Sequence, residues 1–380
     1  MKTTKIELVG LCIAACLLAC NDPETESSGK DARATRADAS PEPRPPALQA
    51  DTDAPAVAKD GTVYAEATLM GTRVSMRVWL DDPAKAKAAA AAMTEAFNEI
   101  ARIESIASEW QKDSELSRLN DAAGGEAMKV SPELFAILER SKEISEDTGG
   151  TFDVSFHSVG QLWKFKPGAT PPSAEAIAAK LPFVNYRKIE LDAQKSAARL
   201  AEAGMMVGLG AIAKGYAVDA ASRLLNERGF EHHIVEGGGD TYARGSKGDK
   251  PWQIGVQHPG RGGAIGALPC GDKAVVTSGN YMRYFEWEGR RYTHILDPQT
   301  GWPISAEKHP KSVTCVADNA TDADAYCTAL TIMGRSAALD FVAERPGLDV
   351  IVIDFDDSIH VSAGLSDHWR RFEDPPKGAN

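Results

Sequence analysis

Alternation of apolar and polar residues marks where folded structure begins. Over residues 63–80, Val74, Met76, Val78 and Leu80 alternate with polar neighbours after a turn at Met70-Gly71-Thr72, the pattern of a half-buried strand. The period then changes. Behind the helix-start signal Asp82-Pro83, the residues Met93, Phe97, Ile100, Ile103 and Ile106 recur at helical spacing. Such a stripe is core and not a cofactor box. Residues 114–120, after Trp110, read as an irregular segment. Ser131-Pro132-Glu133 opens a second helix, which Gly149-Gly150 stops.

Short strands are expected over 188–208. They lead to Gly208-Leu209-Gly210-Ala211-Ile212-Ala213-Lys214-Gly215, where small residues enter a helix that continues through Leu224 and Leu225. A strand at His233-Ile234-Val235 precedes a loop, Glu236-Gly237-Gly238-Gly239-Asp240. Further strands are expected at 252–256 and 274–279. An aromatic run, 284–287, turns at Glu288-Gly289 into a strand that ends at Asp297-Pro298, because proline fixes φ and has no N–H to donate. A helix capped by Thr321 or Asp322 and strands at 350–355 and 358–362 complete the pattern. Strands and helices mix without strict alternation, so the fold class is α+β: mixed sheets with packed helices.

The start of the chain is different in kind. Lys2 and Lys5 precede a short apolar run, 6–19, that ends in Leu17-Leu18-Ala19-Cys20. The run is too short to span a bilayer and reads as a signal segment. Its end resembles a bacterial lipobox, in which Cys20 becomes the lipid-bearing first residue. That divides the chain into a lipoprotein signal peptide (1–19), a Pro- and Ala-rich disordered tether (20–60) and a catalytic region (61–370). It also places the protein in the bacterial cell envelope, on the periplasmic side, lipid-anchored to a membrane. A net charge of −12 argues against nucleic acid as a partner. The six cysteines show no zinc spacing, and the mature chain keeps Cys270, Cys315 and Cys327, an odd number that makes no tidy disulfide framework.

Four places could carry chemistry. His294 lies near a strand end just before a rigid turn, where side chains are often presented to a cleft. Glycines at a helix start expose N–H groups to an anion, and Lys214 adds charge beside them, although neither a Walker loop nor a dinucleotide fingerprint is present; close helix packing explains the glycines equally well. Asp324 and Thr328 are four apart on one helix face, hard oxygen donors that suit Mg²⁺ as well as they suit a solvated surface. Asp153, just past the glycine pair, reads on its own as a turn former.

Taken together in order, these stretches resemble the FAD:protein FMN transferases, the ApbE family of flavin transferases, from about residue 61 to 365. The resemblance rests on Met70-Gly71-Thr72, residues 114–120, Gly150-Thr151-Phe152-Asp153, residues 210–219, Gly238-Gly239-Asp240, Thr277-Ser278-Gly279, residues 294–301, and Ala323-Asp324 with Thr328. It implies an enzyme that binds FAD and Mg²⁺ and moves FMN through a phosphodiester bond onto a Thr or Ser of a target protein, releasing AMP. It further implies His294 as the catalytic base and Ala211 (through its carbonyl), Asp324 and Thr328 on the metal. Met70, Trp110, Thr151, Phe152, Asp153, Lys214 and Ile295 then fall on or beside the FAD site. Three departures stand out: Gly208 replaces a usual Asp, Ser155 a usual Thr, and Ser158-Val159 a usual Pro-Leu. An FAD pyrophosphatase and a lipid-anchored flavin-binding protein without catalysis are the alternatives.

Overall fold

A computed structural model describes residues 57–372 apart from 261–262 and 281–282. The expected signal segment, Cys20 and nearly all of the tether lie outside the described residues. Strands β1 (Thr62–Leu69) and β2 (Thr72–Trp79) pair in a tight hairpin, as the alternation required. Asp82 caps a short turn with Pro83 at its first position, and this runs into α1 (Ala86–Ala107). The α1 stripe is buried as expected: Met93, Phe97, Ile100 and Ile103 face one core, and Ile106 packs against a second. Burying such a side chain is worth about 1.5–3 kcal/mol.

Residues 114–120 correct the expectation of irregular structure. Ser114 accepts from the Ser117 N–H and caps a helix, α2 (Glu115–Asp121). Helix α3 (Pro132–Asp147) follows with Ser131 as its cap. The strands expected within 188–208 stop early: β3 (Ile189–Asp192) pairs with β4 (Ala197–Leu200), and the chain then runs irregularly into α4 (Ala213–Glu227).

The glycine-rich loop after β5 (His233–Gly237) is a hairpin turn into β6 (Asp240–Arg244). Only Gly238 and Gly239 are unpaired, at φ 63° and 100°, which is why both positions are glycine. There follow β7 (Lys250–Gln257), β8 (Ala264–Cys270), β9 (Lys273–Gly279), β10 (Tyr284–Trp287), β11 (Arg290–Thr293) and β12 (Ser312–Ala317). The chain ends with α5 (Ala320–Met333), α6 (Arg335–Ala343), β13 (Asp349–Ile353) and β14 (Ile359–Val361).

One eight-stranded sheet organises the molecule, in the order β1-β2-β5-β6-β9-β12-β13-β14, with every neighbouring pair antiparallel. Helices α1, α4 and α5 cover one face, and the smaller sheet containing β7 and β8 packs on the other through Trp252, Ile254 and Leu268. Helix α5 lies between two cores: Ala323, Cys327 and Leu330 face the large sheet, while Ala325 and Ala329 face α2 and α3. Cys270, Cys315 and Cys327 are buried and unpaired with one another. Among the described residues no helix is long and apolar enough to cross a membrane.

Candidate active site

The site is built on the irregular run that enters α4. Asn120, the last residue of the recurring 114–120 stretch, holds that run with its amide: Nδ2 donates to the Val207 carbonyl at 2.9 Å, and Oδ1 accepts from the Val207 N–H at 2.8 Å. Glu109 accepts from the Leu209 N–H at 3.2 Å, and burial raises its pKa. The Ser158 hydroxyl bonds both backbone groups of Met206. Residues 206–209 are therefore fixed by side chains from three different segments. The start of α4 is set in turn.

At that start Lys214 meets two carboxylates. Its Nζ lies 2.7 Å from Asp240 Oδ2, at the first residue of β6, and 3.0 Å from Asp324 Oδ2, on α5. Both carboxylates are almost wholly buried. Burial opposes the Lys214 charge, but the two carboxylates more than offset this and hold the ammonium above its usual range. Burial, reinforced by the Asp324 charge, pushes Asp240 well above the usual carboxylate range. With both acids ionised, one ammonium would leave one negative charge in excess, and the raised Asp240 pKa reflects how costly that is in a buried place. A second cation would relieve it.

Of the expected metal ligands, Asp324 is itself part of that cluster. Asp324 Oδ2 also accepts from the Gly215 N–H at 3.2 Å, so that N–H does not bond the Ala211 carbonyl four residues back. The Thr328 hydroxyl, one turn along α5, has no hydrogen-bond partner among the described residues, whereas Thr331 on the same helix bonds the Cys327 carbonyl at 2.7 Å. A carboxylate, a hydroxyl and a carbonyl are donors that suit a hard cation. No group of three His, Cys, Asp or Glu among the described residues is placed to hold a metal, and this oxygen set does not need one. Asp322 is no substitute for Asp324. It is paired with Arg140 at 2.7 Å on the far side of α5, and the helix is capped by Asn319 rather than by Asp322 or Thr321.

His294 directly follows β11. Its N–H donates to the Arg283 carbonyl at 3.0 Å, and Nδ1 lies 3.2 Å from the same oxygen. The hairpin is anchored from behind: Phe285 and Tyr292 stack at 5.1 Å, and Trp163 Nε1 donates to the Gly301 carbonyl at 3.0 Å, which pins the 297–301 turn. Burial pushes the His294 pKa down to about 4; the bond to the Arg283 carbonyl opposes the shift, and the charges of Arg283 and Lys214 add to it. The imidazole is thus neutral at ordinary pH, and the Lys214 charge is close enough to be felt.

Of the other expected site residues, Met70 shares a small recess with Lys214, Thr72 and Gly237. Its backbone is held at a positive φ of 52°, with its N–H donating to Glu104. Trp110 is 83% exposed and lies edge-on to His157. Thr151 is half-buried in the turn after α3, Phe152 is in the core, and Ile295 is buried behind His294. Asp153 serves as a clamp: it accepts from the Ser155 N–H and hydroxyl and from the Tyr186 N–H. Both its oxygens are taken by the protein. Asp240 was not singled out as a site residue; its contact with Lys214 spans 26 positions, too far for any spacing rule to reveal.

Fold and site together define an α+β enzyme whose working groups meet where the start of α4, the inner face of α5 and the ends of β6 and β11 come together. The chain belongs to the ApbE family, whose profile matches residues 70–352. It is similar to the FAD:protein FMN transferase of Treponema pallidum, 35% identical over 325 residues covering 81% of this chain and 89% of that protein. It is also similar to the FAD:protein FMN transferase of Escherichia coli K12, 33% identical over 256 residues covering 65% and 72%. Among solved structures, the ApbE protein of Thermotoga maritima superposes with a TM-score of 0.73 at 30% identity, covering 82% of this chain and all of that one. The flavin transferase ApbE of Vibrio cholerae gives 0.71 at 26% identity, covering 81% and 99%.

Proposed function

We propose that the protein transfers FMN from FAD to the hydroxyl of a Thr or Ser in an acceptor protein and releases AMP. The observation that carries the reading is the buried Lys214–Asp240–Asp324 cluster at a helix start, two acids on one ammonium, with a neutral histidine nearby. In the step itself an acceptor oxygen forms a bond to the FMN phosphorus, and the bond from that phosphorus to the bridging oxygen breaks. The hydroxyl proton passes to His294, and AMP leaves with the bridging oxygen. His294 is suited to accept it because the neutral imidazole is the basic form. Lys214, at the start of α4, faces the phosphates and favours charge developing on them. Mg²⁺, held by Asp324, Thr328 and the Ala211 carbonyl, would supply further charge compensation to the pyrophosphate.

The test is to incubate the protein with FAD and Mg²⁺, with and without a Thr-bearing acceptor, and to follow AMP. Release only with acceptor supports transfer. Release without acceptor means that water is the acceptor and the enzyme a pyrophosphatase, and no release at all leaves a flavin-binding protein.

We further propose that Cys20 carries a lipid and holds the domain at a membrane on the periplasmic side of the cell envelope, with residues 20–60 as a tether. The support is the Leu17-Leu18-Ala19-Cys20 sequence after a short apolar run. Cys20→Ala should move the protein from the detergent phase to the aqueous phase. Equal partitioning of the two forms would refute the anchor.

A further inference from the structure

The flavin reading leaves one buried group without a task. His157 opens a one-turn helix, His157–Gly160, and is only 8% exposed. Neither ring nitrogen has a hydrogen-bond partner among the described residues, and burial alone pushes its pKa down to about 4. A neutral imidazole offers one donor and one acceptor. Neither nitrogen is among the fully buried polar atoms, so the ring edge reaches solvent and is free to bond a ligand.

The surroundings indicate what kind of ligand. The ring packs on Gly208, where an added Cβ would lie 3.0 Å from the His157 Cβ and 3.2 Å from its Nδ1. A side chain at 208 would require His157 to give way by a few tenths of an ångström. The next ring along is Trp110, with centroids 6.4 Å apart and planes at 80°. Trp110 is 83% exposed, a large apolar surface left open to water, yet its backbone is tied down by the Ser108 hydroxyl at 3.2 Å. An open, fixed aromatic face beside an unsatisfied hydrogen-bonding edge is complementary to a flat ring with polar atoms on its rim. Six residues further along the same chain segment stands Lys214, where the phosphates are placed above.

We propose that His157 is a specificity-determining residue that hydrogen-bonds the polar rim of a planar heteroaromatic ring of the bound dinucleotide, isoalloxazine or adenine, stacked on Trp110. This rests on the FAD reading of the site. The probes are FAD, FMN and ADP, titrated onto the full chain by fluorescence or calorimetry. His157→Phe keeps the ring and loses both nitrogens; His157→Asn loses the ring and keeps a donor and an acceptor. Loss of one hydrogen bond should weaken FAD binding by His157→Phe roughly five- to tenfold, while His157→Asn stays within about twofold of wild type. A merely structural role predicts the reverse order, since Phe preserves packing and Asn does not. A loss shared by FMN but not ADP assigns the contact to isoalloxazine, and the opposite pattern assigns it to adenine. If wild type binds FAD and His157→Phe binds all three probes as tightly, the inference falls and the flavin reading stands. If wild type binds none of them, both fall together.

Discussion

Replacing Lys214 by Met is the most direct challenge to the buried cluster. The change keeps the length of the stem and deletes an ammonium bonded at 2.7 Å to Asp240 and at 3.0 Å to Asp324. It leaves two carboxylates, with side chains 3% and 4% exposed, facing each other without a cation. Removing one partner of a buried ion pair generally costs about 3–5 kcal/mol. The Lys214 side chain is itself 28% exposed, so water can partly replace it, and the lower end, about 3 kcal/mol, applies. For a domain of this size that lowers the melting temperature by roughly 6–9 °C. The decisive comparison is a double-mutant cycle with Asp240→Asn. If the loss comes from uncompensated charge, Lys214→Met/Asp240→Asn should melt closer to wild type than Lys214→Met alone, with a coupling of about 1–3 kcal/mol. Additive losses, or a Lys214→Met protein that melts like wild type, would refute the account.

Asp324→Ala should abolish FAD turnover at limiting Mg²⁺, because it removes the only carboxylate assigned to the metal; wild-type activity there would sink that assignment. His294→Ala should slow single-turnover transfer by a factor of about 100 or more with FAD affinity little changed, and normal transfer by a folded variant would remove His294 from the mechanism. The basic form of His294 is the neutral one and its pKa lies near 4, so the wild-type rate should fall only as pH drops through that value. A steep rise in rate between pH 6 and 7.5 (roughly the span around an unshifted histidine) would contradict this. Gly215→Ala would set a Cβ 2.1 Å from the Ala320 carbonyl oxygen, and such overpacking should lower stability by about 1–3 kcal/mol in a urea titration; an unchanged midpoint would show that α4 and α5 can part at no cost.

Where local pattern dominates, the sequence and the structure agree. The α1 stripe, the Ser131-Pro132 start of α3 and the turn at Met70-Gly71 all follow from the spacing of apolar positions and from backbone freedom, whereas the loop expected over 236–240 is a two-residue hairpin turn. Helix α2 escaped because its seven residues bury only Leu116, Leu119 and Asn120, too few to show a period. The α5 cap escaped because Asn319, Thr321 and Asp322 are all competent caps within four positions, and only the fold decides that Asp322 turns to Arg140. The pH window of His294 was also out of reach. Its shift comes from burial among residues distant in the chain, and an unperturbed histidine would titrate near 6.5. The site residues were legible only as members of a family pattern: Lys214 and Asp324 stand 110 positions apart.

What holds those distant groups in register is contact between two backbones. At Gly215 the α4 chain lies so close to Ala320 and Thr321 that nothing larger than hydrogen fits between them. The same glycine's N–H donates to Asp324, one turn further along α5. From the α4 side, Asp219 accepts from the N–H groups of Ala320 and Thr321, both at 2.8 Å, and so fastens the α5 start to α4. Residues 215 and 219 are one turn apart on one face of α4 and touch the first turn of α5 from that face. The distance from Lys214 to Asp324 is therefore set by main chain and by the half-buried Asp219 carboxylate, not by two long side chains finding each other. Two buried acids on one ammonium need such a frame, because side chains free to move would separate them. Gly215 and Asp219 are best understood as the parts that keep Lys214, the residue just before them, at a fixed distance from Asp324.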